Sequence, residues 1–271
     1  MSRVTSRDGT PIAFDRVGRG PAVILVNGGL ADRAENAPLA AELAERFTVY
    51  NYDRRGRGGS GDTPPYAVQR EVEDIAALLA EAGGTAHLYG PSAGGGLVLR
   101  AAAAGLPIGR LAVYDVPYCV SSDAAQRART FVDRLGPTLA GGRAGDALAL
   151  FMWFAGSTQE DIAGARQSPM WPGLLAIEHT IAYDAACMGD YQPPVSLLSK
   201  ITRPTLAITG GVLDTHMTGL PSDLFERAAE AITQNVPDAQ RHRLPGQTHM
   251  VDATALAPVL ARFFTDLHCH H

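Results

Sequence analysis

The run Ala86-His87-Leu88-Tyr89-Gly90-Pro91-Ser92-Ala93-Gly94-Gly95-Gly96-Leu97-Val98-Leu99 decides the fold. Its first four residues read as a buried strand, and 97–104 read as a helix. Between them Gly90 to Gly94 matches G-x-S-x-G, the spacing that puts a serine on a sharp strand-to-helix turn. Glycines two residues either side of the serine let neighbouring backbone come close. Such a turn lifts the Ser92 hydroxyl above the sheet and leaves the Ala93 N–H at a helix N-terminus, where negative charge is stabilised. Gly95 and Gly96 would each cost a helix about 1 kcal/mol relative to Ala, so close packing is expected there. The blander reading, that Ser92 only caps the helix, explains none of these glycines.

Outward from this turn the chain alternates strands and helices. Residues 4–17 suit a hairpin around Asp8-Gly9. Residues 22–26 form a continuous apolar run, as in a strand buried on both faces of a parallel sheet. A helix over 36–46 and a strand over 48–52 follow. Pro64-Pro65 opens an amphipathic helix with Val68, Val72, Ile75 and Leu79 on one face and Gly83-Gly84 as its stop. Further strands are expected at 111–114, 205–209 and 241–244, with helices at 225–232 and 256–264. This alternation predicts a mostly parallel, doubly wound α/β sheet. The rhythm breaks over 117–200, which is read as a mainly helical cap. The expected division is 1–116 with 201–267 as core, 117–200 as cap and 268–271 as tail. Gly136-Pro137 and Gly141-Gly142 are the candidate flexible points of the cap.

A serine hydroxyl needs a base, and the base an orienting acid. Asp214, after strand 205–209, and His249, after the last strand, both fall at carboxyl ends of strands, where open α/β sheets place their sites. With Asn27-Gly28-Gly29 and the stretch from Tyr52 to Gly58, these residues make the chain resemble the α/β-hydrolase fold family over almost its whole length. The resemblance implies Ser92 as nucleophile, His249 as base and then acid, and Asp214 as its orienter. It also implies oxyanion donors from the backbone N–H groups of Gly29 and Ala93. Two points depart or stay open. Asn27-Gly28 stands where many relatives carry His-Gly, and Asp115, after strand 111–114, is an alternative acid, since other relatives supply it from that strand end.

Composition narrows the rest. The chain has 271 residues, 46% hydrophobic and 19% charged, with net charge −5. That speaks against disorder and against nucleic acid as a partner. No apolar run approaches the roughly 20 residues of a membrane span, and residues 1–8 are polar with no secretory h-region, so a cytoplasmic protein with no membrane partner is expected. Three widely spaced cysteines suit neither a disulfide frame nor a metal site. No metal and no cofactor are expected. Gly56 to Gly61 formally matches G-x-G-x-x-G, but the acids near the required spacing lie on a helix, so a tight turn is the better reading. His268, Cys269, His270 and His271 read as a terminal tail, and Asp53-Arg54-Arg55 as ion pairs beneath the site. His87 reads as a structural histidine, His179 as a surface one, and His216 as a neighbour of Asp214.

The expected reaction is hydrolysis of an ester, lactone or related acyl bond in a medium-sized apolar small molecule. Trp153, Trp171, Met152 and Phe154 of the cap are the candidate pocket residues. Two alternatives stay open: a non-hydrolytic enzyme of the same triad (acyltransferase, cyclase, lyase or C–C hydrolase), and a ligand-binding protein on the same scaffold. The oligomeric state, monomer or homodimer, is also open.

Overall fold

Strand β3 (Ala22–Leu25) is apolar throughout because helices cover both of its faces. Val23 and Leu25 point into one hydrophobic layer, and Ile24 and the following Val26 into the other. A computed structural model describes residues 1–265 of the chain. The tail at 268–271, and the last residues expected in the core, lie outside the described residues.

Antiparallel β1 (Ser2–Thr5) and β2 (Pro11–Gly18) form the expected hairpin. After β3 come α1 (Ala37–Leu43), β4 (Thr48–Tyr52) and α2 (Val68–Glu81). Next are β5 (Ala86–Pro91), α3 (Ser92–Ala103) and β6 (Ile108–Tyr114). After a long insertion the sheet resumes with β7 (Thr205–Gly210), α10 (Leu224–Asn235), β8 (Ala239–Leu244) and α11 (Ala253–Thr265). The eight strands make one sheet in the order β1-β2-β4-β3-β5-β6-β7-β8, parallel from β4 to β8. Helices α2, α3 and α10 cover one face and α1 with α11 the other, which is the doubly wound arrangement.

The insertion between β6 and β7 holds α4 (Ser122–Ala140), α5 (Asp146–Phe154), α6 (Gln159–Arg166), α7 (Trp171–Ala176), α8 (Ile181–Met188) and α9 (Val195–Leu198). It forms a helical cap whose aromatic residues pack on one another, Phe131 stacking on Phe154 at 4.4 Å and Tyr191 meeting both edge-on. Gly136 and Pro137 fall inside α4 rather than at a break.

Inside β5, His87 accepts the Arg110 N–H at Nδ1 (3.1 Å) and stacks on Phe264 at 4.8 Å. Burial, helped by the charge of Arg110, pushes its pKa down from 6.5 to about 4. The folded chain thus refuses a proton that the unfolded chain accepts. Stability from this site is complete above pH 6.5 and is lost as pH falls toward 4. Urea midpoints measured from pH 7.5 to 4 should fall less steeply for His87→Phe than for the wild type; parallel slopes would contradict this.

Candidate active site

The chain turns sharply at the end of β5, and two glycines make the turn possible. A Cβ on Gly90 would come within 2.6 Å of the Gly94 carbonyl oxygen, and one on Gly94 within 2.5 Å of the Asn27 carbonyl oxygen. Ser92 sits between them with φ +51°, a left-handed conformation that a serine adopts only when its surroundings impose it. It starts α3, so the Ala93 N–H lies in the first turn of that helix, where donors have no intrahelical partner.

Ser92, Ala93, Gly28, Gly29 and His249 line one cavity of about 360 Å³ beneath the cap. His249 sits in the loop after β8, its ring stacked on Phe225 of α10 at 5.0 Å. Its Nδ1 lies 3.3 Å from Asp115 Oδ2. A carboxylate oxygen only accepts, so this pair assigns the proton to Nδ1 and leaves Nε2 as the basic nitrogen. Asp115 is 2% exposed and directly follows β6, with φ +45°. Its other oxygen accepts the Gly210 N–H at 3.1 Å, so both carboxylate oxygens are held.

The acid beside His249 is therefore Asp115 and not the expected Asp214. Asp214 stands on the cavity wall, where its carboxylate accepts the His216 N–H at 2.9 Å; no ion pair joins it to His249 among the described residues. The reason lies in the sheet. β6 and β7 are neighbours, and Asp115 is one residue past the end of β6, where its carboxylate reaches the Gly210 N–H at the end of β7. Asp214 is four residues past the end of β7, in a loop that leaves the sheet and meets the cap at Gly156 and Ser157.

Of the expected pocket residues, Met152 and Phe154 line the cavity, whereas Trp153 and Trp171 do not. On α5, residue 153 is turned about 100° from each neighbour. Trp153 lies instead under the Arg127 guanidinium, 4.4 Å from its ring centre, and buried Trp171 packs within the cap beside Arg166. Further wall residues that sequence reasoning passed over include Cys119, Tyr191, Leu220 and Phe225. No local signal marks them, because their common cavity forms only when cap and sheet come together.

Behind the cavity lies a buried ionic cluster. Arg54 grips Glu71 through two bonds of 2.7 Å, and Arg54 Nη1 and Arg57 Nη2 both meet Asp184 Oδ1 at 2.7 Å. Burial alone would raise the pKa of Glu71, but the charge and hydrogen bonds of Arg54 outweigh it and hold the group at about 2. Arg55 pairs likewise with Asp74 and Asp8. These are the ion pairs expected of the Asp53-Arg54-Arg55 stretch, and their acidic partners explain why Glu71 and Asp74 face inward on α2. The turn expected at Gly56 to Gly61 has positive φ at Gly56 and Gly58, and Asp53 accepts the Gly59 N–H. His179 pairs with Asp62, and the His216 ring with Asp161.

A profile described as "Alpha/beta hydrolase family" matches residues 23–261. The crystal structure of an alpha/beta hydrolase from Sphaerobacter thermophilus DSM 20745 superposes with a TM-score of 0.86 at 47% identity, over 97% of this chain and 100% of that one. An N-formylmaleamate deformylase of Pseudomonas putida is 38% identical over 104 residues, 37% of this chain and 39% of that protein. An uncharacterized hydrolase of Bacillus subtilis, YraK, is 34% identical over 90 residues, 32% of this chain and 33% of its own length. The matches to these two curated relatives thus span between a third and two fifths of their length.

Proposed function

The chain belongs to the alpha/beta hydrolase family, and from that premise we propose that it is a serine hydrolase of carboxylic esters, lactones or related acyl compounds. The observation that carries this reading is that His249, backed by Asp115, lines the same cavity as Ser92 on its strained turn. In the proposed reaction His249 Nε2 takes the Ser92 proton as Oγ attacks the acyl carbonyl. The oxyanion that forms is held by the N–H groups of Ala93 and Gly29, and His249 then returns its proton to the leaving group. Water, deprotonated by the same nitrogen, clears the acyl-enzyme.

The cavity wall of Phe151, Met152, Phe154, Leu220 and Phe225 supports a mainly apolar acyl or alkyl group in the substrate. Hydrolysis of an N-formyl amide, named for the Pseudomonas putida relative, is acyl transfer to water as well and falls within this chemistry.

A panel of aryl esters and lactones tests the proposal, with a fluorophosphonate added as titrant. Turnover should stop in proportion to labelling, at one phosphonyl group per chain. Undiminished turnover by fully labelled protein, or no labelling of folded protein, would overturn it.

A further inference from the structure

The Gly28-Gly29 peptide is flanked by two residues without a Cβ, so its orientation is poorly constrained by its own sterics. It borders the nucleophile: a Cβ on Gly28 would lie 3.7 Å from Ser92 Cβ and 3.6 Å from the Pro91 carbonyl oxygen. If the peptide turned over, the Gly28 carbonyl would present a lone pair where the oxyanion must develop. One strong bond opposes this. Arg57 Nη1 donates to the Gly28 carbonyl oxygen at 2.7 Å, with Arg54 Nη1 3.4 Å from the same oxygen. The peptide is trans, so a carbonyl drawn into the arginine cluster turns the Gly29 N–H the opposite way.

We propose that Arg57 is the positioning residue for the oxyanion donor, and that Asp184 of the cap holds Arg57 in place. This rests on the reading of Ser92 as nucleophile. Arg57 is 2% exposed, and its Nη2 is fixed by Asp184 Oδ1 at 2.7 Å. Asp184 stands on α8, and a Cβ on Gly29 would lie 3.1 Å from its Oδ2. Cap helix and oxyanion loop are therefore joined most closely through the Arg57 guanidinium, with Arg54 making the longer second link. Arg57 Nε and Asp184 Oδ2 are both buried without a hydrogen-bond partner. A cluster shaped only for stability would satisfy those atoms. Here the guanidinium is turned to serve the Gly28 carbonyl.

The test is Arg57→Gln, with activity normalised to the Ser92 sites that a fluorophosphonate titrates, so that loss of folded protein does not count. Losing one oxyanion donor costs about 10²- to 10³-fold in kcat. The expected result is a kcat per titrated site lower by about 10²-fold, with KM within twofold. Affinity for a trifluoromethyl ketone, which forms a tetrahedral adduct, should fall by a similar factor, and affinity for the carboxylate product should not. A kcat per site within threefold of wild type, or equal losses for ketone and product, would overturn the proposal. Should the variant not fold, the wild-type adduct with the ketone gives the answer by crystallography. Its oxyanion should accept the Gly29 N–H while the Gly28 carbonyl stays on Arg57; a Gly28 carbonyl turned toward Ser92 would overturn it. Failure of the wild type to label at all would instead remove the serine-hydrolase reading beneath it.

Discussion

Asp115→Asn is expected to lower kcat by about 10⁴-fold while leaving the fold intact. The amide that replaces the carboxylate can present an N–H to His249 Nδ1, which stabilises the tautomer with its proton on Nε2, the wrong nitrogen for a base. It also removes the negative charge that would stabilise the imidazolium formed as Ser92 attacks. Volume is unchanged, and the remaining side-chain oxygen can still accept the Gly210 N–H, so Tm should move little. Asp214→Asn is the control: its carboxylate accepts a backbone N–H in an outer loop and has no bond to His249, so kcat should stay within about threefold. Steady-state kinetics on both variants decides between them. A large loss in Asp214→Asn with Asp115→Asn near wild type would reverse the assignment.

Asp184→Ala is expected to destabilise the protein by about 3–5 kcal/mol, the usual cost of removing one partner from a buried ionic cluster. Arg54, Arg57, Glu71 and Asp184 are all nearly inaccessible, and their formal charges sum to zero. Without Asp184 two guanidiniums share only Glu71, and one buried positive charge is left uncompensated. For a chain of this size the loss corresponds to a drop in Tm of roughly 10 °C. Asp184→Asn loses the charge but keeps the shape, and should fall between wild type and Ala. Differential scanning calorimetry of the three proteins measures the series; an Ala variant as stable as wild type would mean that the cluster carries no net weight in the fold.

The two predictions differ in how far the residues behind them are legible in the sequence. Ser92 is legible because its signal is local: two glycines, a strand before and a helix after, all within about a dozen residues. His249 is legible because the last strand ends just before it. The acid is not, because Asp115 and Asp214 both follow strands that end on the same side of the sheet, and only the path of the 211–221 loop separates them. The pocket residues fail for a related reason. Met152, Trp153 and Phe154 are equally apolar on paper, and which of them faces the cavity depends on the rotation of α5 against a sheet far away in sequence. Asp184 carries no signal at all: 130 residues separate it from Arg54, and an Asp in a helix reads as a solvated one. The alternating strands, by contrast, announce the sheet because burial on both faces leaves an unbroken apolar run, as at 22–26.

The central claim, that Ser92 carries the acyl group with His249 as its base, is tested most directly by trapping that group. An aryl ester mixed with the enzyme and quenched in acid within the first turnover should leave an acyl adduct, mapped to Ser92 by peptide mass spectrometry. The adduct should be absent from Ser92→Ala and form at least about 10³-fold more slowly in His249→Ala. An adduct on another residue, or turnover with no adduct on Ser92 at any quench time, would contradict the account.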